Sequence, residues 1–574
     1  MVNKIFEIKN MVGKKNTFYL CLLFFFLIIS SITEFIGLGS IPIYIGLITD
    51  TDYYLGKINS DFINKKIEGY EQSQLIIISS IALVIIFFAK NIFQIFLVYF
   101  QGKLIKKIKL NLTTKIFNEF LNIEFKEILK RNTSIFIRTI NLDAGNTTIF
   151  ILNILNLVKE TLTIIAIIIL LLIAKPYISL ILFVFFSISV ALFYLFTHKK
   201  LFERGKKIQF LHSEIIKLVT ETMGSIKEIK VFNQENKISK IFSKAITSSE
   251  EFLFKNYVIK SLPRIYLELL CVIVIVLVIL SFVLLNEDII SLLPFLSLIV
   301  VSALRLIPGL NLIQNSISTL KSIMPSYNHI INEIDFLQKQ NQNKKNNMEP
   351  VYFKKEILLK NISFKYDNFP KMVLDNLDFQ INKGDRIGII GGSGTGKTTL
   401  VNLILGLIKP TSGGIFIDGN KYDASKNSWG NNLGYVPQET FLIDDTIKKN
   451  ILFGLEENDN TLDELLSAAS KAQILEFINS LSDKFDTKVG ERGVNLSIGQ
   501  KQRIGIARAL YRNPDLLVFD ESTSSLDQTT ETNFVNDIFK ITEDKTIIFI
   551  SHRLNALRNC NKIFDIGLKK IVNL

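Results

Sequence analysis

The sequence predicts an all-α membrane domain followed by an α/β domain built around a phosphate-binding loop, and three observations carry that prediction. Six apolar runs, near residues 17–48, 74–100, 147–174, 177–197, 265–285 and 289–312, are long enough to cross about 30 Å of hydrocarbon at about 1.5 Å per helical residue. Beyond them the apolar stretches are short, as in Ile387–Ile390, Leu516–Phe519 and Thr546–Ile550, which reads as buried parallel strands alternating with helices. The first of these stretches runs directly into Gly391-Gly392-Ser393-Gly394-Thr395-Gly396-Lys397-Thr398, and the apolar helical run Leu400–Leu407 follows. That is GxxxxGK(S/T) in its strand–loop–helix setting.

Each element follows from composition and position. At 574 residues the chain has room for more than one domain. A mean hydropathy of +0.32 with 48% apolar residues excludes a disordered chain and speaks against a wholly soluble enzyme. The first apolar run follows Lys4, Lys9, Lys14 and Lys15, but it is too long for a signal peptide, carries Glu34 and lacks a small-residue cleavage pattern, so it is expected to be a helix of the mature protein. Gln338–Asn347 is polar and without apolar periodicity, which divides the chain into a transmembrane domain (1–335), a linker (336–350) and a soluble domain (351–574). Cys21, Cys271 and Cys560 are far apart and show no CxxC or Cys/His spacing; neither a disulfide framework nor a zinc site is encoded, and all three are expected as small buried hydrophobes.

The charge balance, 66 Lys+Arg against 53 Asp+Glu, is topological. Basic residues crowd the segments after span two (Lys103, Lys106, Lys107, Lys109, Lys115, Lys126, Lys130, Arg131) and after span four (Lys199, Lys200, Arg204, Lys206, Lys207, Lys217). The opposite loops carry Asp50 and Asp52, Lys175 alone, and Glu287 with Asp288. By the positive-inside rule the N-terminus and the soluble half are cytoplasmic in a multi-pass protein of the cytoplasmic membrane, and no nucleic-acid partner is implied. The inside loops are long and keep a helical apolar pattern at Ile105–Phe120 and Ile208–Val219, so the spans are expected to continue as helices into the cytoplasm. Their turns, around Arg131–Asn141 and Glu221–Val231, are expected to meet the soluble domain.

The loop chemistry points to a nucleotide. Glycines let backbone N–H groups converge on phosphate oxygens at a helix N-terminus, Lys397 reaches the β/γ-phosphates, and the Thr398 hydroxyl ligates Mg²⁺. Strand Leu516–Phe519 delivers Asp520 and Glu521 at its carboxyl end, where an open α/β sheet places metal and water chemistry. Asp520 is expected to hold Mg²⁺ and Glu521 to polarise the attacking water.

Leu496-Ser497-Ile498-Gly499-Gln500, followed by Lys501-Gln502-Arg503 and Ala507-Arg508-Ala509-Leu510, resembles the signature sequence of ATP-binding-cassette proteins and stands shortly before the Asp520-Glu521 strand as in that family. The resemblance implies an adenine-stacking role for Tyr366, with Phe364 as a competing aromatic, and a Q-loop role for Gln438, which touches both Mg²⁺ and the catalytic water. It also implies an X-loop at Glu491, a D-loop at Ser525-Leu526-Asp527 and a switch histidine at His552. Gly391 to Thr399 would contact ATP from one side, and Ser497, Gly499 and Gln500 from the other. Ile498 stands where the family usually has Gly, and a β-branched residue could not easily adopt φ > 0 if the backbone needed it. Because one cassette's signature closes on another's phosphate loop in this family, a dimer is implied, and the retention of both elements favours a homodimer.

Domain order, six spans and long intracellular hairpins are similar to the exporter branch of the family. Pro263-Arg264-Ile265-Tyr266-Leu267-Glu268 and Arg305-Leu306-Ile307-Pro308 look like the flippase of lipid-linked oligosaccharides in bacterial protein N-glycosylation, which implies a pyrophosphate-linked glycolipid as cargo. The alternatives are a multidrug, lipid or peptide exporter; no peptidase domain is seen before span one. A nucleotide-gated channel or regulatory subunit would more naturally show a damaged Glu521 or His552. Ionisable residues in spans mark pathways: Glu34, Lys90, Arg264, Glu268 and Arg305 are the expected cavity residues, summing to +1. Arg264 and Glu268, four apart, are placed to pair with each other, Lys90 to snorkel to the cytoplasm, and Arg305 to contact phosphate.

Overall fold

The computed structural model describes residues 14–49, 71–284, 293–341, 349–367, 371–521, 535–540, 542, 544–551, 553 and 557–572. The loop residues Asp50, Asp52, Glu287 and Asp288, linker residues 342–348, Asp527 and His552 lie outside these. The chain divides into two compact units, Met1–Ile123 with Arg131–Lys339, and Glu124–Lys130 with Gln340–Leu574.

The first unit is helical: α1 (Lys14–Thr49), α2 (Gln72–Asn122), α4 (Thr133–Arg138), α5 (Ala144–Ala174), α6 (Pro176–Gly224), α7 (Ile226–Val231), α8 (Glu235–Leu284) and α9 (Leu293–Asn341). At 51 residues α2 is about 77 Å long, more than twice the hydrocarbon thickness. Among the described residues, Asn16–Thr49, Gln72–Asn122, Thr133–Ala174 and Pro294–Gln340 are long and apolar enough to cross a membrane. Ile81, Val84, Ile85, Phe88, Ile92 and Ile95 of α2 are all exposed, a continuous apolar face of the kind lipid tails cover. Cys21 is exposed on α1 rather than buried as expected, because a thiol is apolar enough to face lipid. Lys175 is extended and Pro176 opens α6 at its first position, where a missing N–H costs nothing. Phe150 stacks on Tyr327 at 4.2 Å, joining α5 to α9.

The second unit contains α3 (Phe125–Leu129) and the α/β domain. Phe125 packs against the domain's core, and Lys126 and Lys130 both reach Asp367 at 2.7 Å. These two ammonium groups hold the Asp367 carboxyl down at about 2. Strands β1 (Glu349–Pro350) and β7 (Asn427–Ser428) pair, and β2 (Glu356–Phe364), β3 (Leu374–Asn382), β5 (Ser412–Ile417) and β6 (Asn420–Lys421) form an antiparallel sheet in the order β3-β2-β5-β6. The main sheet comprises β4 (Arg386–Ile390), β8 (Leu433–Val436), β9 (Leu516–Asp520), β10 (Thr546–Ile550), β11 (Lys562–Asp565) and β12 (Lys570–Val572), in the order β12-β11-β4-β10-β9-β8. Only β12 is antiparallel to its neighbour. Every residue of β9 and β10 is buried, as expected of parallel strands covered on both faces. Helices α10 (Lys397–Ile404), α11 (Ile447–Leu452), α12 (Thr461–Lys471), α13 (Leu475–Ser480) and α14 (Ile498–Tyr511) complete it.

Candidate functional site

Four adjacent parallel strands, β4, β10, β9 and β8, end at one edge of the sheet. Ile389 pairs with Ile550, Ile550 with Asp520, and Phe519 with Val436, so all four chains leave the sheet at the same level. The Gly391–Thr398 loop, Ser551, Asp520-Glu521 and Pro437-Gln438 therefore converge there, outside the carboxyl ends where ligands of such sheets bind.

Gly396 adopts φ +100° and a Cβ there would lie 2.9 Å from Leu374 Cδ2, so a side chain is excluded twice over. It precedes α10 without a capping side chain, leaving the first N–H groups of that helix free for an anion. Lys397 is 7% exposed, and its Nζ donates to the carbonyls of Gly391 at 2.9 Å and Gly392 at 3.0 Å, placing the ammonium in the mouth of the loop. Ser393, Gly394 and Thr398 are exposed along the loop. Gly396→Ala is expected to weaken ATP binding by about tenfold or more, measured by titration with a fluorescent nucleotide, while the membrane unit keeps its thermal stability.

Asp520 is 7% exposed, and Tyr435 donates its hydroxyl to Oδ2 at 3.4 Å. Burial, then the neighbouring charge of Glu521, raises the Asp520 carboxyl above its ordinary range; burial and Asp520 push the Tyr435 phenol up to about 12. Glu521 sits at φ +48°, a strained left-handed backbone for a non-glycine residue, and Gln438 Nε2 donates to its Oε2 at 3.2 Å. Backbone strain at this point aims the carboxylate across the cleft at the loop after β8. Among the described residues no group of three or more His, Cys, Asp or Glu could cage a metal. One buried carboxylate beside a phosphate-binding loop with an exposed Thr398 instead fits Mg²⁺, which keeps waters and shares its ligands with phosphates.

Tyr366 follows β2, is half-buried, and shares a 3.3 Å hydrogen bond with Thr399 Oγ1. Phe364 meets its ring edge-on at 4.9 Å but is only 2% exposed, so of the two aromatics Tyr366 alone has a face to offer a base. Ser497 caps α14: its Oγ accepts from Gln500 N at 3.2 Å while Gln500 Oε1 accepts from Ser497 N at 2.8 Å, a reciprocal capping box. Ile498 is the first residue of α14, is absent from the positive-φ residues and is 65% exposed, so its β-branch meets no backbone conflict. Gly499 is helical beside it. Glu491 opens a short 3₁₀ turn ending at Gly493.

Arg508, at the end of the signature segment, holds a structural position that its sequence context does not reveal. Arg508 donates from Nε to Asn450 O at 2.8 Å and from both terminal nitrogens to Phe441 O at 3.1 Å, tying α14 to the segment after Gln438. Asn450 bonds both the N–H and the carbonyl of Ile443. Burial brings the Arg508 guanidinium down to about 10.

In the first unit, Glu34, Lys90, Glu160 and Arg305 form one ionic network across α1, α2, α5 and α9. Lys90 Nζ lies 2.7 Å from Glu34 Oε2, so it does not snorkel away as expected: a buried carboxylate is a better partner than distant water. Arg305 reaches Glu34 Oε1 through Nε at 3.1 Å and Glu160 Oε2 through a terminal nitrogen at 3.1 Å. The expectation that Arg305 contacts a cargo phosphate is thereby corrected, since two carboxylates already occupy its donor fork. Glu160 and Lys159 are not among the expected cavity residues, although an ionisable doublet inside the run 147–174 is a signal for them. Glu268 is exposed on α8, and the side chain of Arg264 lies outside the described residues.

A profile described as ABC transporter transmembrane region matches residues 20–307, half of the chain, and one described as ABC transporter matches residues 374–524. The heterocyst differentiation ATP-binding protein HepA of Nostoc sp. is 32% identical over 65% of this chain and 61% of its own. The putative multidrug export ATP-binding/permease protein YgaD of Bacillus subtilis is 42% identical over 35% of each chain, and the alpha-hemolysin translocation ATP-binding protein HlyB of Escherichia coli O157:H7 is 40% identical over 36% of this chain and 29% of its own. The matched stretches thus span less than two thirds of these relatives. The solved structure of a bacterial Atm1-family ABC exporter with ATP bound superposes with a TM-score of 0.77 at 21% identity, covering 97% of this chain and 95% of that one, which shows the same fold. With both profiles in order along it and with this fold, the chain belongs to the ABC transporter family, as a half-transporter carrying a helical membrane domain followed by a nucleotide-binding cassette.

Proposed function

We propose that two copies of this chain form an ATP-driven exporter of the cytoplasmic membrane that moves an amphipathic cargo outward by alternating access. The observation that carries this is the convergence of the Gly391–Thr398 loop, Asp520, Glu521 and Gln438 at one sheet edge, with Gln438 hydrogen-bonded to Glu521. In this reading the loop N–H groups and Lys397 hold the β/γ-phosphates and Tyr366 stacks on the adenine. Thr398, Gln438 and Asp520 hold Mg²⁺, which when bound neutralises phosphate charge. Glu521 takes up the proton of the attacking water, with His552 and Asp527 completing the site. Ser497, Gly499 and Gln500 reach the phosphates bound by the other copy. A cytoplasmic N-terminus and cassette are supported by the basic residues after spans two and four.

Export of small amphipaths is supported by the likeness to YgaD, a putative multidrug export protein. The pyrophosphate-linked oligosaccharide implied by Pro263–Glu268 and Arg305–Pro308 remains a narrower version of the same reading, without the phosphate contact at Arg305.

Mixed dimers test the shared site. With Lys397→Ala in one subunit and Ser497→Ala in the other, both lesions fall in one composite site and hydrolysis by the second should persist. With both lesions in the same subunit each site is damaged and hydrolysis should vanish. Equal rates from the two arrangements would sink the proposed dimer.

A further inference from the structure

Where α1, α2, α5 and α9 meet, three cations face two carboxylates. Lys90 and Arg305 are consumed by Glu34 and Glu160. Lys159 is left over: among the described residues its ammonium has neither an ion pair nor a side-chain hydrogen bond, although Glu160, Arg305 and Glu34 are near enough for their charges to act on it. It is half-buried and is the central residue of α5, fifteen residues and about 22 Å from both Ala144 and Ala174.

The surroundings are polar where a span should be apolar. One turn before Lys159, Asn156 accepts from Gln101 of α2 at 3.0 Å. Gly309 of α9 faces Glu160, with a Cβ there 3.2 Å from Oε2, and five residues later α9 carries Gln314, buried with neither side-chain polar atom hydrogen-bonded. Unsatisfied buried groups of this kind mark a place that water or a ligand completes. An ammonium inside a span costs several kcal/mol unless paired or wet, so an unpaired one beside a neutralised network is kept for a partner that comes and goes.

We propose that Lys159 is the anion contact of the translocation pathway and pairs with the single acidic headgroup, phosphate or sulfate, of an amphipathic molecule. As a statement about cargo this rests on the exporter reading; as a statement about binding it does not. A transported amphipath and a bilayer phospholipid share this chemistry.

The test uses the full-length protein in phosphatidylcholine nanodiscs without nucleotide, with dodecyl phosphate and dodecyltrimethylammonium as probes. Wild type should bind the phosphate about tenfold or more tighter than the ammonium, Lys159→Arg should keep that preference, and Lys159→Gln and Lys159→Met should both lose it with basal ATP hydrolysis unchanged. Absence of the preference in wild type, or its survival in both uncharged variants, overturns the proposal. Binding that follows Lys159 in a protein that does not turn over ATP would remove the exporter reading and leave the anion contact standing. Repeating the titration in phosphatidylglycerol discs separates the sources: displacement of dodecyl phosphate identifies bilayer lipid as the occupant, and undiminished binding identifies cargo.

Discussion

Glu521→Gln is expected to lower ATP turnover by about 10²- to 10⁴-fold while leaving nucleotide affinity near wild type, the range for losing a positioned general base. The amide keeps the size of the carboxylate, and its oxygen still accepts from Gln438 Nε2, so the geometry at 3.2 Å survives and the base alone is lost. Lys397→Ala does the reverse, weakening binding by removing a charge from the phosphates. A second consequence concerns pH. Burial and the Glu521 charge both disfavour ionised Asp520, so its carboxyl titrates above the usual range. With that neighbouring charge gone, Asp520 ionises at lower pH, and Mg²⁺-dependent nucleotide binding should extend further into acid in Glu521→Gln than in wild type. Nucleotide titrations at stepped pH with single-turnover kinetics check both effects. Wild-type-like turnover in Glu521→Gln would refute the assignment of the base.

Motifs whose spacing is dictated by backbone geometry were legible in the sequence. The glycine at 396 is demanded by φ +100° and by Leu374 pressing on it, and the carboxylates at 520 and 521 stand where a fully buried strand ends. Two other features were not legible. A usual glycine replaced by Ile498 suggested a backbone penalty, but the residue is the first of a helix and pays none, because Ser497 and Gln500 build the turn ahead of it. In the membrane unit the charges can be counted along the spans, but Arg305 binds carboxylates 271 and 145 residues away. Pairing across a helical bundle depends on which faces meet, and no i,i+4 pattern encodes that.

That network should hold the four helices together, and its removal should have the largest effect on stability. Arg305→Leu leaves Glu160 buried without its partner and Glu34 with Lys90 alone; breaking a buried pair in this way costs about 3–5 kcal/mol. Glu160→Leu should be comparably harmful, since it strips one of the two carboxylates from Arg305. Combining the two removes both charges, leaves the Glu34–Lys90 pair at 2.7 Å intact, and fills the space with apolar atoms, so the double variant should be less destabilised than the sum of the singles. Arg305→Lys should fall between, because a point charge cannot fork to two carboxylates at once. Thermal loss of monodisperse protein in nanodiscs measures all four variants. Additive losses in the double variant, or an Arg305→Leu protein as heat-resistant as wild type, would show that packing rather than these charges joins α1, α2, α5 and α9.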